Sequence, residues 1–321
     1  MKPLLVALAP YLSEVPWGGA ALQRRYGVDA PVDRRIGEAW VVSAVPGKAS
    51  RVLADGRPLD ALWTGAEAHF LGPGTPVGTP FPFLVKLLAT EAPLSVQVHP
   101  DDAAALALEG SGPGKHEAWV VLEARDDADI LMDLAPESSV DELLDAAARG
   151  DGDAVRARLV SVRPEAGDVF DVLPGTVHAP GSGLVLYEIQ QPCDHTYRIF
   201  DWNRPGLDGR PRPLHTEKAR RAARRTRCAR RRLEGRPTRA VVLETPHWAL
   251  ERWCPADGAC IPVTSMLAVT CVAGRGALVA GGEAPVALRP GASVLVARAA
   301  SMVEVRGEGI ELFVARPRRV V

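Results

Sequence analysis

Three short segments carry side chains whose types and spacing can do chemistry. In Leu94–Asp102, LSVQVHPDD, residues two apart along a strand point to one face. Gln97 and His99 therefore project together, while Val96 and Val98 face the other way. In Gly114–Glu123, GKHEAWVVLE, the same alternation puts Lys115 and Glu117 on one face, in line with Trp119 and Val121. His116 and Ala118 take the opposite face. A carboxylate entering a core strand needs a partner, and a cation is a natural one. In Gly167–Gln190, GDVFDVLPGTVHAPGSGLVLYEIQ, a turn at Pro174–Gly175 precedes a strand that carries His178 inward. Any one of these is also what a hydrogen-bonded polar group on a strand looks like. Together, His99, Glu117 and His178 with Gln97 form an oxygen and nitrogen donor set without sulfur. Such a set suits zinc, manganese or ferrous iron, with one position left for water or substrate.

The elements that must position these residues read mainly as strands. Short β-type runs (AWVVSAV, PFLVKLL, LSVQVH, EAWVVLEA, GLVLYEIQ, SMLAVTCVAG) alternate with Gly and Pro turn signals every ten residues or so. That spacing predicts a sandwich or barrel rather than βαβ units. No G-x-G-x-x-G follows a strand and no G-x-x-x-x-G-K-[ST] occurs, which argues against a nucleotide-binding α/β fold. One region breaks the pattern. In 138–159, Ser139 can cap a helix whose apolar positions Val140, Leu143, Leu144 and Ala147 recur at helical spacing. Gly150 and Gly152 stop it, and Asp153 opens a second short helix predicted to run through Leu159.

The length, 321 residues, suggests two domains and a sizeable core. No apolar stretch approaches a membrane span. The six residues Leu4–Ala9, bracketed by Pro3 and Pro10, are shorter than a secretory h-region, so a cytoplasmic protein without a signal peptide is expected. The five cysteines, Cys193, Cys228, Cys254, Cys260 and Cys271, show no C-x-x-C spacing and are expected to be free thiols, not ligands. Net charge is −1, but residues 1–160 carry 14 Lys and Arg against 23 Asp and Glu, and residues 161–321 carry 24 against 16. Much of the second excess lies in Lys218–Arg239, with eleven basic residues and one acid, Glu234. No aromatics interleave with it, so it offers no stacking platform for nucleic acid; a solvated linker face is the expectation.

The ordered strings WGG (Trp17–Gly19), IGEAW (Ile36–Trp40), FLVKLL (Phe83–Leu88), SVQVHPDD, GKHEAW, GDVFDVLPGTVHA and YRIFDW (Tyr197–Trp202) resemble the type I mannose-6-phosphate isomerase (phosphomannose isomerase) family in its short bacterial form. The resemblance covers about residues 4–218, and SVQVHPDD is its most specific string. It implies a zinc-dependent double cupin, two jelly-roll β-sandwiches with a small helical insert. Residues 1–217 would be the N-terminal cupin, 218–239 an arginine-rich linker, and 240–321 a C-terminal cupin-like domain without a metal set. By the same resemblance His99, Glu117 and His178 are the ligands of one zinc per chain, with Gln97 as a fourth. Lys115 matches the family's lysine of the K-x-E string, and Arg198 its active-site arginine. The C-terminal part keeps a GxGxL-like turn (Gly274–Leu278) and a PGxSxLV string (Pro290–Val296), while the match is poor between 220 and 240.

The implied reaction is interconversion of mannose 6-phosphate and fructose 6-phosphate, a proton moving between C1 and C2 through a cis-enediol. Lys115 either binds the phosphate or acts as a base, and sequence leaves both open. Arg198 is expected to share one side of its strand with Phe200. Glu188 and Asp194 are further candidates for proton work, although most strand-end carboxylates are solvated. His69, His116, His195, His215 and His247 show no partner pattern and are read as structural or exposed, His195 being the first to test. Two other readings share the donor set: an iron-dependent oxygenase cupin, and a non-catalytic sugar-binding cupin. The expected partner is a small sugar phosphate, with no membrane and no nucleic acid; a monomer is expected.

Overall fold

In the computed structural model, residues 2–110 and 112–318 are described. Among them the strands form three antiparallel sheets. The central, seven-stranded sheet runs Ala229–Arg232, Asp168–Val172, Glu117–Ala124, Leu184–Gln190, Leu84–Thr90, Ile36–Val42, Tyr11–Gly19. A five-stranded sheet runs Tyr197–Phe200, Val96–Val98, His178–Pro180, Ile130–Leu134, Leu159–Val162. A nine-stranded sheet holds the C-terminal strands, the longest being Leu267–Val279 and Met302–Pro317.

The period-two patterns explain the layering. Trp17, Leu88, Trp119, Val121 and Phe170 from the central sheet pack against Leu94, Ile130 and Met132 beside or on the five-stranded one. The alternate residues of the same central strands, Ala118, Val120, Tyr187 and Ile189, pack the other way, against Leu250, Ala268, Leu295 and Phe313 of the nine-stranded sheet. A strand buried on both faces reads as a near-continuous apolar run, as Leu84–Thr90 and Leu184–Gln190 do; every residue in both is buried. On the outer face of the five-stranded sheet, Val96 and Val98 meet Leu143, Leu144, Val155, Ala219 and Ala222 from three helices. Gln97 is thereby left on the inner side.

The helical insert is Val140–Ala148 and Gly152–Ala157. Ser139 makes a capping box with Glu142, and Asp151 caps the second helix. That second helix stops short of the predicted Leu159, which instead opens a strand paired with Ile130–Leu134. Other helices lie outside 138–159, among them Ala21–Tyr26, Leu59–Trp63, Glu67–Leu71, Asp102–Glu109 and Thr216–Ala222. At five to eight residues each, they are too short to show a helical period in sequence.

The segment 218–239, expected as a linker, carries secondary structure of its own. Its start is the end of a helix, and Ala229–Arg232 is an edge strand paired with Asp168–Val172. Most of its cations have partners: Lys218 with Glu109 (2.8 Å), Arg220 with Asp141, Arg230 and Arg232 with Asp168 (2.7 and 3.0 Å), Arg236 with Glu311 (3.2 Å) and Arg239 with Glu251 (2.6 Å). The arginines of the run are exposed, as a solvated face predicts, and the acids they meet come from other parts of the chain. The first strand, Leu5–Ala9, also crosses the expected division: it pairs with Ser293–Val296. Among the described residues, no helix is long and apolar enough to cross a membrane.

Candidate metal centre and the cavity above it

Glu117 opens a strand of the central sheet, paired on one side with Val172 and on the other with Gln190. Facing it from the five-stranded sheet, His178, Gln97 and Arg198 stand in one row across three neighbouring strands, with register partners His178↔Gln97 and Arg198↔Gln97. His99 follows just after the Gln97 strand. Two sheets with side chains alternating in and out thus converge these five polar groups where their inner faces meet.

His99, Glu117 and His178 are all buried, and their ligand-type atoms lie within 4.8 Å of one another. His178 Nε2 is 3.4 Å from Glu117 Oε1, and His99 Nε2 is 3.5 Å from Glu117 Oε2. Gln97 Nε2 lies 3.3 Å from His178 Nε2, and its Oε1 accepts from the Ser95 hydroxyl at 3.1 Å. Each imidazole is oriented from behind: His99 Nδ1 meets the His195 carbonyl at 2.8 Å, and His178 Nδ1 the Thr176 carbonyl at 3.0 Å. A carbonyl can only accept, so each Nδ1 carries the proton and each Nε2 presents a lone pair to the cluster.

The electrostatics favour the same protonation states. Burial pushes His178 down to about 3, against the pull of Glu117, and lowers His99 with help from the Lys115 ammonium. Both rings are therefore neutral near pH 7. For Glu117, burial works against the charge, but the Lys115 ammonium outweighs it and holds the carboxyl well below its usual range. Glu117 Oε1 is buried and accepts no hydrogen bond. An ionised, partnerless carboxylate oxygen beside two imidazole lone pairs costs free energy unless a cation meets it. The donor set fits a divalent metal of the zinc or ferrous type.

Lys115 closes this cluster from the cavity side, its Nζ ion-paired with Glu117 and 3.1 Å from His99 Nε2. Above it opens a cavity of about 400 Å³ with strongly charged walls. Arg198 lines it, held by Nη1 donating to the Pro213 carbonyl at 2.9 Å, with a buried Nε that has no partner. Burial and the neighbouring Arg212 lower its pKa from the ordinary arginine value. Phe200 does not share this face as expected. The register shifts between Arg198 and Phe200, and Phe200 turns into the core under the helices.

Glu188, left open by sequence, is a buried wall residue rather than a solvated one. It pairs with Lys86 at 3.0 Å and accepts from Trp119 Nε1 at 2.9 Å. Burial opposes the Lys86 charge, but Glu188 and Glu38 outweigh it and hold the ammonium above its ordinary pKa. Asp194 pairs with Lys48 at the rim. Lys86 was not singled out in sequence, although a lysine and a glutamate inside two apolar strands were a readable signal; their register, Glu188↔Lys86, was not. His215 also lines the cavity, its Nδ1 accepting from the Arg198 N–H at 3.0 Å. His116 points away, to Asp171 at 2.7 Å, and His69 meets the Pro3 carbonyl. The five cysteines are free, and none belongs to the cluster.

Comparison with known proteins gives a consistent result. Residues 5–118 match the family model of the phosphomannose isomerase type I catalytic domain. A probable mannose-6-phosphate isomerase of Bacillus subtilis, GmuF, is 39% identical over 216 residues, 66% of this chain and 66% of that protein. The mannose-6-phosphate isomerase of Streptococcus mutans is 40% identical over 206 residues, 63% of this chain and 62% of that one. A putative mannose-6-phosphate isomerase of Bacillus subtilis, YvyI, is 36% identical over 221 residues, 68% and 67% of the two chains. The matched stretch thus spans about two thirds of these curated relatives' length. Over nearly the whole chain, the fold is similar to the crystal structure of the mannose 6-phosphate isomerase from Bacillus subtilis. There the TM-score is 0.83 at 27% identity, over 98% of this chain and 100% of that one. A mannose 6-phosphate isomerase bound with zinc and yttrium shares the fold, with a TM-score of 0.76 at 17% identity over 99% and 100% of the chains.

Proposed function

For a chain that belongs to the type I phosphomannose isomerase family, we propose interconversion of mannose 6-phosphate and fructose 6-phosphate in the cavity above His99, Glu117 and His178. The observation that carries this is the donor set itself: two neutral imidazoles and an ionised carboxylate, all buried, directly beneath Lys115 and Gln97, which line a cavity with charged walls. One zinc per chain would be held by His99, Glu117 and His178 with Gln97. When bound, such an ion supplies a Lewis acid that favours negative charge on the sugar oxygens at C1 and C2 without redox change.

The chain's own residues do the rest. Lys115, buried against Glu117, acts at the reacting end of the sugar rather than at its phosphate; its ammonium donates to an oxygen that gains charge as the proton moves between C1 and C2. Arg198 presents the guanidinium of the opposite wall to the same developing charge. Lys48 and Arg212, nearer the rim, suit the phosphate dianion. Trp119 closes one side of the pocket and fixes Glu188. The accompanying fold reading is a double cupin, and the setting a cytoplasmic monomer. An iron-dependent oxygenase gives no role to Lys115 beside Glu117, and a non-catalytic sugar-binding cupin would bind the sugar phosphate without turnover.

A coupled isomerase assay on mannose 6-phosphate tests the proposal. Turnover should be present in the zinc-loaded enzyme, vanish on chelation and return on zinc add-back, with no oxygen uptake. A zinc-loaded protein that does not convert the sugar phosphate overturns it.

A further inference from the structure

Lys115 is not part of any strand. The strand that anchors Glu117 by pairing on both sides begins two residues later. Something else must hold Lys115, and the hydrogen bonds of Gly114, Lys115 and His116 show what does. The Gly114 N–H donates to Asp102 Oδ1 at 2.7 Å, and the Gly114 carbonyl accepts from Cys193 Sγ at 3.1 Å. The Lys115 N–H donates to the Pro100 carbonyl at 2.9 Å. The His116 N–H donates to Gln191 Oε1 at 2.9 Å, and the His116 carbonyl accepts from the Gln191 N–H at 3.0 Å. The two side chains are also joined to each other, Gln191 Nε2 donating to Asp102 Oδ1 at 2.9 Å. Gln191 is buried, so its amide orientation is set by these partners: oxygen toward an N–H, nitrogen toward a carboxylate.

The fit is close as well as bonded. A Cβ at Gly114 would lie 2.4 Å from the Asp101 carbonyl carbon and 2.6 Å from the Asp102 nitrogen, both main chain, so only glycine lets the segment approach this far. Asp101 is occupied separately, capping the helix Asp102–Glu109.

We infer that Asp102 and Gln191 are positioning residues for Lys115: a clamp on the back of the Gly114–His116 segment that sets where the ammonium meets the cavity floor. The inference rests on the functional reading given above. Glu117 has its own sheet anchors, so loss of the clamp displaces Lys115 and leaves the metal donors in place. A misplacement of about 1 Å in a reacting group costs up to about 100-fold in rate.

The test uses the full chain, zinc-loaded. Asp102→Ala and Gln191→Leu should each lower kcat by about 10- to 100-fold with KM within about threefold and one zinc retained. Asp102→Asn, which keeps an acceptor for Gly114 and Gln191, should recover most of kcat. Hydrogen exchange over 112–118 should be slow in the wild type and faster in the two disrupted variants. This readout needs no turnover, so an inactive wild type would overturn the isomerase reading while exchange still decides the clamp. A kcat for Asp102→Ala within twofold of wild type, zinc lost in step with kcat, no rescue by Asp102→Asn, or unchanged exchange would each overturn the inference.

Discussion

Arg198 stands in the cavity wall with one guanidinium nitrogen bound to a main-chain carbonyl and its Nε buried without a partner. In the proposed reaction an anionic substrate would complete what the protein leaves open there. Its fold contacts are modest, since Tyr197, Ile199 and Phe200 fill the core beneath the strand. Arg198→Ala should therefore fold and keep its metal, yet lose about 10²- to 10³-fold in kcat, the range for removing one donor aimed at developing charge. A loss confined to kcat places the guanidinium on the transition state; a rise in KM places it on the ground-state sugar phosphate. Near wild-type kcat/KM would make it structural only.

Among the elements, the edge strand Ala229–Arg232 shows how a basic run becomes part of a fold. Edge strands invite mispairing, and charged side chains blunt that tendency. Here two of the charges also find a buried acid. Asp168 accepts from Arg230, Arg232 and the Glu165 N–H (2.7 Å). Burial opposes its ionisation, but those three donors hold its pKa below the ordinary aspartate value. A carboxyl depressed in the folded state contributes stability above its unfolded pKa of about 3.9, lost as pH falls through the folded value. Asp168→Ala should cost about 1–3 kcal/mol at pH 7 in urea unfolding, the half-exposed arginines keeping it from being larger. The gap between variant and wild type should narrow below about pH 4. An equal gap at pH 7 and pH 3 would contradict the assignment.

At the scale of the whole molecule, the two halves share a core. Tyr187 of the central sheet meets Phe313 of the C-terminal sheet with ring centroids 4.9 Å apart, and Leu5–Ala9 is a strand of the C-terminal sheet. Cutting the chain after residue 217 would strand Leu5–Ala9, remove the edge partner of Asp168–Val172 and expose Ala118, Val120, Tyr187 and Ile189. Residues 1–217 alone should show no cooperative thermal transition, although every proposed metal and catalytic residue lies within them. A monomeric 1–217 fragment that unfolds cooperatively and retains zinc would refute a shared core.

What the chain declares locally is periodicity and residue type, and these pick out the three donors that the structure brings together in the candidate site. Alternation alone separates Gln97 from Val96 and Val98, and Glu117 from Ala118, because a strand's period of two is a property of the backbone and needs no partner. The capping box at Ser139 is likewise local. Pairings between distant residues were not legible. Asp168 for the arginines, Lys86 for Glu188, the His195 carbonyl behind His99 and Gln191 behind Lys115 all depend on strand register and sheet packing. The shift at Arg198 that sends Phe200 toward the helices breaks the very alternation from which its direction was read. Side-chain type is written in one residue and its face in a few neighbours; which charge meets which is decided only when the sheets close on one another.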